Sequence, residues 1–328
     1  MDPLESHLPS SARPQHAAGG WLEPAGLPPG LAGLGRTAVM GICNVTPDSF
    51  SDGGRYLSDA DALEHATRMV ELGADLIDVG GESTRPGADR VPLEVEMARV
   101  IPVIKGLVSQ GTVVSVDTMR SEVASAAVAA GAAIINDVSG GSADPAMPAV
   151  MAELGQPVIL THSRGKPADM DRLDNYADVV AEVAAELERR VGAVVEAGVK
   201  PEAIVLDPGF GFAKASSNNW PLLAQLDRLA GLGFPLAIGV SRKRFLESVK
   251  GPSPHLQALG PAGRDAATAA VTAASSLVGV WCVRVHAVAG SAAAVRVAQE
   301  IRAARLAALA RGAASPAEEL PFLVQHEG

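Results

Sequence analysis

Residues 112–138 read TVVSVDTMRSEVASAAVAAGAAIINDV, and the order of residue types along them decides the architecture. TVVSVDT (112–118) is a short β-branched run that ends on a carboxylate. RSEVASAAVAAG (120–131) spaces its apolar residues at helical intervals and stops on a glycine, the residue suited to a helix C-cap. AAIINDV (132–138) is a second short apolar run. The three pieces form a strand–helix–strand unit, and the nearly unbroken apolar character of its strands suits a parallel sheet covered on its outer face.

The same unit recurs in both directions. Further strand-like runs are TAVMGICNV (37–45), DLIDVG (75–80), PVILTHS (157–163), AIVLDP (203–208), PLAIGV (235–240) and WCVRVHAV (281–288). Helical spacing is found in ADALEHATRMVELG (60–73), VEMARVIPVIKGLVSQ (95–110), DPAMPAVMAELG (144–155), YADVVAEVAAELERRVGAVVEAG (176–198), NWPLLAQLDRLAGL (219–232), DAATAAVTAASSLVG (265–279) and SAAAVRVAQEIRAARLAALA (291–310). Eight strands, each followed by a helix, predict an α/β fold in its simplest closed form, a single-domain (β/α)₈ TIM barrel. The alternative is a doubly wound open sheet, and the lack of a GxGxxG turn after the first strand counts against it.

The barrel is expected over residues 37–312. Residues 1–36 and 313–328 are read as flexible extensions, the first rich in Pro, Gly and Ala. The chain has 328 residues, 48% of them hydrophobic and 20% charged, which is enough to bury one large core. A formal net charge of −10 argues against nucleic acid or an anionic membrane as partner, since both require a field of Lys and Arg. Cys43 and Cys282 lie in apolar runs without a pairing pattern, which fits two packed thiols in a reducing cytoplasm. No apolar run reaches the roughly 18 to 20 residues of a membrane span, and no secretory signal is apparent.

In this barrel the active site lies at the carboxyl ends of the strands. Strand one ends in Asn44, two in GGESTR (80–85), three in Asp117, four in Asn136 and Asp137, and five in His162 and Arg164. Six ends in Asp207, seven in Ser241, Arg242 and Lys243, and eight in Arg284 and His286. Each has an ordinary structural explanation when taken alone. Asp207 can cap a turn, Asp117 can cap a helix, Asn136 and Asp137 can bond neighbouring loops, His286 can be a satisfied structural histidine and Lys243 a solvated charge. Their gathering at one end of the barrel is what those explanations leave out, and burying such groups is costly without partners.

The polar ends form two sets. Asp117, Asn136, Asp207 and Lys243 would match a flat heterocycle with an amino-amide edge, its N–H groups facing carboxylates and its carbonyl facing an ammonium. Arg284 and His286, two apart on one strand, point to the same side, where this fold often binds phosphate. The long polar loop NVTPDSFSDGG (44–54) exceeds what a connection needs and is expected to touch a ligand.

These residues, with MGICNVTPDSFSDGG (40–54), GADLIDVGGESTRPGA (73–88), SVDT (115–118), INDVSG (135–140), LDPGFGFAK (206–214), SRKRF (241–245) and VRVH (283–286), resemble the bacterial dihydropteroate synthase family. The resemblance runs from about residue 38 to 300. It implies a cytoplasmic homodimer that joins 4-aminobenzoate to 6-hydroxymethyl-7,8-dihydropterin pyrophosphate. It places the pterin against Asp117, Asn136, Asp207 and Lys243. It places the pyrophosphate at Asn44, Thr84, Arg284 and His286, with Mg²⁺ held by Asn44 and the phosphates. Thr46, Pro47, Asp48, Phe50, Asp52, Ser83, Thr84, Arg85 and Pro86 would form lid loops and, with Phe210 and Arg244, the aminobenzoate pocket. Asp117, Lys243, Arg284 and His286 would serve catalysis, and sulfonamides would compete with aminobenzoate.

Three positions depart from the family pattern. Thr161-His162-Ser163-Arg164 stands where Met-His-Met-Arg is common, Ala287 follows His286 where Asp is common, and GFAKA (211–215) replaces GFGKT. Two other readings follow: a non-catalytic pterin-binding paralogue with a regulatory role, and a methyltetrahydrofolate methyltransferase. The second would have no use for NVTPDSFSDGG or RVH.

Overall fold

A computed structural model describes residues 8–9, 12, 21–46, 59–83, 90–165, 173–249 and 260–310. Eight parallel strands run β1 (Ala38–Asn44), β2 (Leu76–Gly80), β3 (Val114–Asp117), β4 (Ile134–Asp137), β5 (Val158–Thr161), β6 (Ile204–Asp207), β7 (Ala237–Ile238) and β8 (Cys282–Val285). Their order is β6-β5-β4-β3-β2-β1-β8-β7. Between β6 and β7 the ladder shrinks to one bridge, Leu206 to Leu236, which closes the ring. The molecule is the expected TIM barrel.

Helices α1 (Asp59–Glu71), α2 (Leu93–Ser109), α3 (Ser121–Ala129), α4 (Met147–Leu154), α5 (Val179–Glu196), α6 (Ser216–Ala224), α7 (Leu226–Ala230), α8 (Gly260–Val278) and α9 (Val288–Ala310) surround it. Glycines 73, 131, 155 and 198 all have positive φ at or just past helix ends, as their sequence positions predict. Two segments differ from the sequence reading. The helix expected over 219–232 breaks at Gln225 into α6 and α7, with Pro221 inside the first. The eighth strand stops at Val285, and Val288 already begins α9.

Side chains alternate along every strand, and the alternation separates two cores. Outward residues such as Val39, Ile77, Val116, Ile135, Leu160, Leu206 and Val283 pack with the helices. Inward residues Ala38, Met40, Leu76, Ile134, Ile159, Val205, Ala237 and Cys282 fill the barrel floor. The next inward positions, two residues further along, include Asp78, Asn136, Thr161, Asp207 and Arg284. A dry apolar plug thus underlies a polar layer.

The flexible leader expected over residues 1–36 is contradicted for its described second half. Leu31 is 0% exposed and joins the inner core from below, with Leu27 and Leu34 packed beside it. Ala25 donates its N–H to Glu202 O at 2.7 Å, and Arg302 lies 4.6 Å over the Trp21 ring. An open barrel floor presents apolar surface, and this leucine-bearing segment covers it. The tail at 313–328 lies outside the described residues.

Candidate functional site

Asp117 on β3 stands in register with Gly80 on β2 and Asn136 on β4. Gly80 lets the neighbours close in, because a Cβ there would lie 3.3 Å from Asp117 Cβ and 3.5 Å from Asn44 Oδ1. From across the barrel Arg284 donates through Nη2 to Asp117 Oδ2 at 2.6 Å and through Nε to Asp78 Oδ2 at 2.5 Å. Asn136 donates through Nδ2 to the same Asp78 oxygen at 3.1 Å. Asp78 Oδ1 and Asp117 Oδ1 are buried with no hydrogen-bond partner among the described residues. Unpaired buried carboxylate oxygens are expensive, so these await donors.

Asp207 ends β6 and accepts from Gly209 N at 2.7 Å, so it does cap its turn while its second oxygen lies near Gly239. Lys243 donates to the Phe210 carbonyl and holds its ammonium 3.9 Å over the Phe212 ring. Asp207, Arg284 and Asp117 all act on Lys243 electrostatically, which places the four groups around one space.

Burial governs the charges. It pushes Asp117 up to about 7, against the pull of Arg284 and with help from Asp78, Glu96 and Asp137. It raises Asp207 as well. It pushes Lys243 down to about 8, although Asp207 opposes the shift. For Arg284 the Asp78 and Asp117 charges outweigh burial and hold the guanidinium above its usual range. The layer therefore presents acceptor carboxylates, one amide and two cations to a shared space.

His286, just beyond β8, lies 3.0 Å through Nδ1 from Ser241 Oγ, which also accepts from the His286 backbone N–H. Asn44 is part-buried at the tip of β1 and Thr46 is buried just after it. Ser83 is part-buried, and Arg244 is exposed at the start of a 3-10 turn, Arg244–Ser248. Pro47, Asp48, Phe50, Asp52, Thr84, Arg85 and Pro86 lie outside the described residues.

Two expectations change. Phe210 is 0% exposed and stacks on Phe245, with ring centroids 6.1 Å apart, so it faces the outer core and its carbonyl is what it offers to Lys243. Phe212 is the ring beside that ammonium. At strand five His162 and Arg164 turn outward. His162 Nε2 meets Glu186 at 2.9 Å and Arg164 binds Glu182 and Glu186 over the Tyr176 ring. The residue in this strand's inward series is Thr161, two places beyond Ile159.

The chain matches the pterin binding enzyme family over residues 40–286. It is 49% identical over 266 residues to a dihydropteroate synthase of Mycobacterium leprae, covering 80% of this chain and 93% of that one. The chain belongs to the dihydropteroate synthase family. Among solved dihydropteroate synthases, that of Xanthomonas albilineans with 4-aminobenzoic acid aligns with a TM-score of 0.74 at 45% identity, covering 82% and 94% of the two chains. The Yersinia pestis dihydropteroate synthase, in a sulfonamide drug complex, aligns with a TM-score of 0.78 at 36% identity, covering 86% and 99%.

Within this dihydropteroate synthase fold the sequence reading missed Asp78 and gave Lys214 no role. Lys214 is buried, donates to Gly209 O and Phe212 O, and meets His162 Nδ1 at 2.8 Å. Burial lowers its pKa well below the usual range, and burial with Lys214 pushes His162 down to about 3. The Glu186–His162–Lys214 chain thus braces the turn that carries Asp207 from behind. Among the described residues Asp137, in contrast, bonds its own loop, through Ser139 and Gly141, as its ordinary explanation has it.

Proposed function

We propose that this chain condenses 6-hydroxymethyl-7,8-dihydropterin pyrophosphate with 4-aminobenzoate, giving 7,8-dihydropteroate and pyrophosphate. The observation that carries the reading is the gathering of Asp117, Asn136, Asp207, Lys243 and Arg284 above the apolar floor, in a family whose members are named for this product. Nothing favours the non-catalytic reading.

The flat pterin offers N–H donors to Asp117 and Asp207, and Asn136 and Lys243 complete its edge. The C–O bond of the exocyclic methylene breaks with its electron pair leaving on pyrophosphate, and Arg284, with His286 and Asn44 at the rim, receives that anion. The Asp117 carboxylate stabilises the cation left on the pterin. The arylamine lone pair then forms the C–N bond and the nitrogen loses one proton. Since the amine is already nucleophilic, the residues contribute position more than basicity.

Among the described residues no cluster of three or more His, Cys, Asp or Glu could hold a metal. Magnesium commonly takes only one or two protein oxygens and completes its shell with phosphate and water. The Asn44 side-chain oxygen, at the tip of β1 beside Gly80, fits that habit. Bound there, magnesium would neutralise pyrophosphate charge. The proposal extends to a homodimer, supported by exposed Val278, Val297, Ile301 and Leu306 on α8 and α9. It extends also to the cytoplasm, supported by two free buried cysteines. No helix among the described residues is long and apolar enough to cross a membrane.

The test is pyrophosphate release by purified protein with Mg²⁺ and both substrates, with each omitted in turn. Release that requires aminobenzoate and yields dihydropteroate is expected, with sulfonamides competing against aminobenzoate. Pterin binding without dihydropteroate would overturn the reading.

A further inference from the structure

Asp78 has no place in the chemistry above, yet it is 0% exposed in the middle of β2, within the polar layer. One of its oxygens, Oδ2, receives both Arg284 Nε and Asn136 Nδ2. It therefore ties β2 to β8 on one side and to β4 on the other, and each tie selects an orientation.

For Arg284, bonds through two different nitrogens to two different carboxylates fix the plane of the guanidinium as well as its position. Among the described residues these bonds use two of the guanidinium's five N–H groups, and the side chain is 20% exposed. With Asp117 alone as partner, the group could swing about a single bond. For Asn136 the argument is chemical. A carboxylate can only accept, so the amide must turn its nitrogen to Asp78, and its oxygen faces away. Oxygen and nitrogen of a free amide are nearly interchangeable in shape, and Asp78 breaks that tie.

We infer that Asp78 is a positioning residue for this reaction. Through one oxygen it holds the Arg284 guanidinium and the Asn136 amide in the orientations from which they meet the pterin pyrophosphate. The inference rests on the proposed function, since Arg284 is read there as the receiver of pyrophosphate.

The experiment compares the full chain with Asp78→Asn, Arg284→Gln and the double variant. Calorimetry gives the affinity for 6-hydroxymethylpterin and for its pyrophosphate ester, and their ratio is the pyrophosphate's share of binding. Asp78→Asn is expected to lower that ratio by about 10- to 100-fold, the worth of a charge-assisted hydrogen bond, although Arg284 is still present. The double variant is expected to lose no more of the ratio than Arg284→Gln alone, because two residues acting through one contact are not additive. A wild-type ratio in Asp78→Asn, or losses that multiply in the double variant, would overturn the inference. Should Asp78→Asn alone not fold, the double variant, in which the buried pair is neutral on both sides, is compared with Arg284→Gln. Equal ratios in those two then support the inference, and a further loss in the double variant overturns it. The wild-type assay for dihydropteroate is read separately, so failure of the proposed function is visible apart from these ratios.

Discussion

Gly209 follows Asp207 by two residues, and its φ of +69° is one that L side chains rarely adopt. A Cβ there would lie 1.8 Å from the His162 carbonyl oxygen, a backbone atom that cannot step aside. Gly209→Ala is expected to destabilise the fold by on the order of 3 kcal/mol or more, or to displace the Asp207 turn. Thermal unfolding and pterin affinity check the two outcomes. Asp117 allows a second prediction. Its native carboxyl holds a proton up to about 7, above its ordinary value of 3.8. The native state then binds more protons than the unfolded chain between those values. The contribution of Asp117 to stability accordingly falls as pH rises from about 4 to about 7. Pterin N–H donors favour the ionised form, so affinity is expected to weaken below pH 7, by up to about tenfold per unit, with proton release on binding. Lys243, pushed down to about 8, sets the alkaline side. Titration calorimetry in buffers of different ionisation enthalpy checks the proton release, and Asp117→Asn should reduce it.

At the scale of elements, the strands were legible because their apolar runs are short and bounded, and the helices because glycines close them. Strand ends blurred where apolar residues follow the ladder, as at Ala287 and Val288. Asp117, Asn136 and Asp207 were readable because each closes a run. Asp78 was missed because it sits inside one, within DLIDVG, where a lone carboxylate resembles an interruption. A signal was present: a strand buried along its whole length cannot leave a charge unpaired, and Arg284 lies on an inward series. His162 and Arg164 were misplaced because parity along β5 puts them on the outer face. The leader misled for a different reason. Its proline and glycine content suggests a free chain, while Leu31 works through a tertiary contact that local composition does not encode. Leu31→Ala is expected to cost about 2–5 kcal/mol as a core truncation. Chemical denaturation should register that loss, with Michaelis constants left unchanged because the floor lies a full layer below the ligand groups.

Over the whole molecule, the charge of −10 conceals a local arrangement that serves anions, because Arg284 and Lys243 stand inside the barrel where water screens little. In the proposed reaction pyrophosphate would be drawn by Arg284 and not by the surface field. The weak junction of the ring adds a dynamic consequence. β6 and β7 meet through a single bridge, and β7 spans only Ala237–Ile238. Asp207 stands on one side of that seam and Lys243 on the other. A pterin that bonds both would act as a suture across the thinnest part of the wall. Deuterium uptake at Leu206 and at 236–238 is expected to be faster than at β2 or β3 in the ligand-free protein, and to slow selectively when pterin binds. The substrate would then complete the wall of its own container.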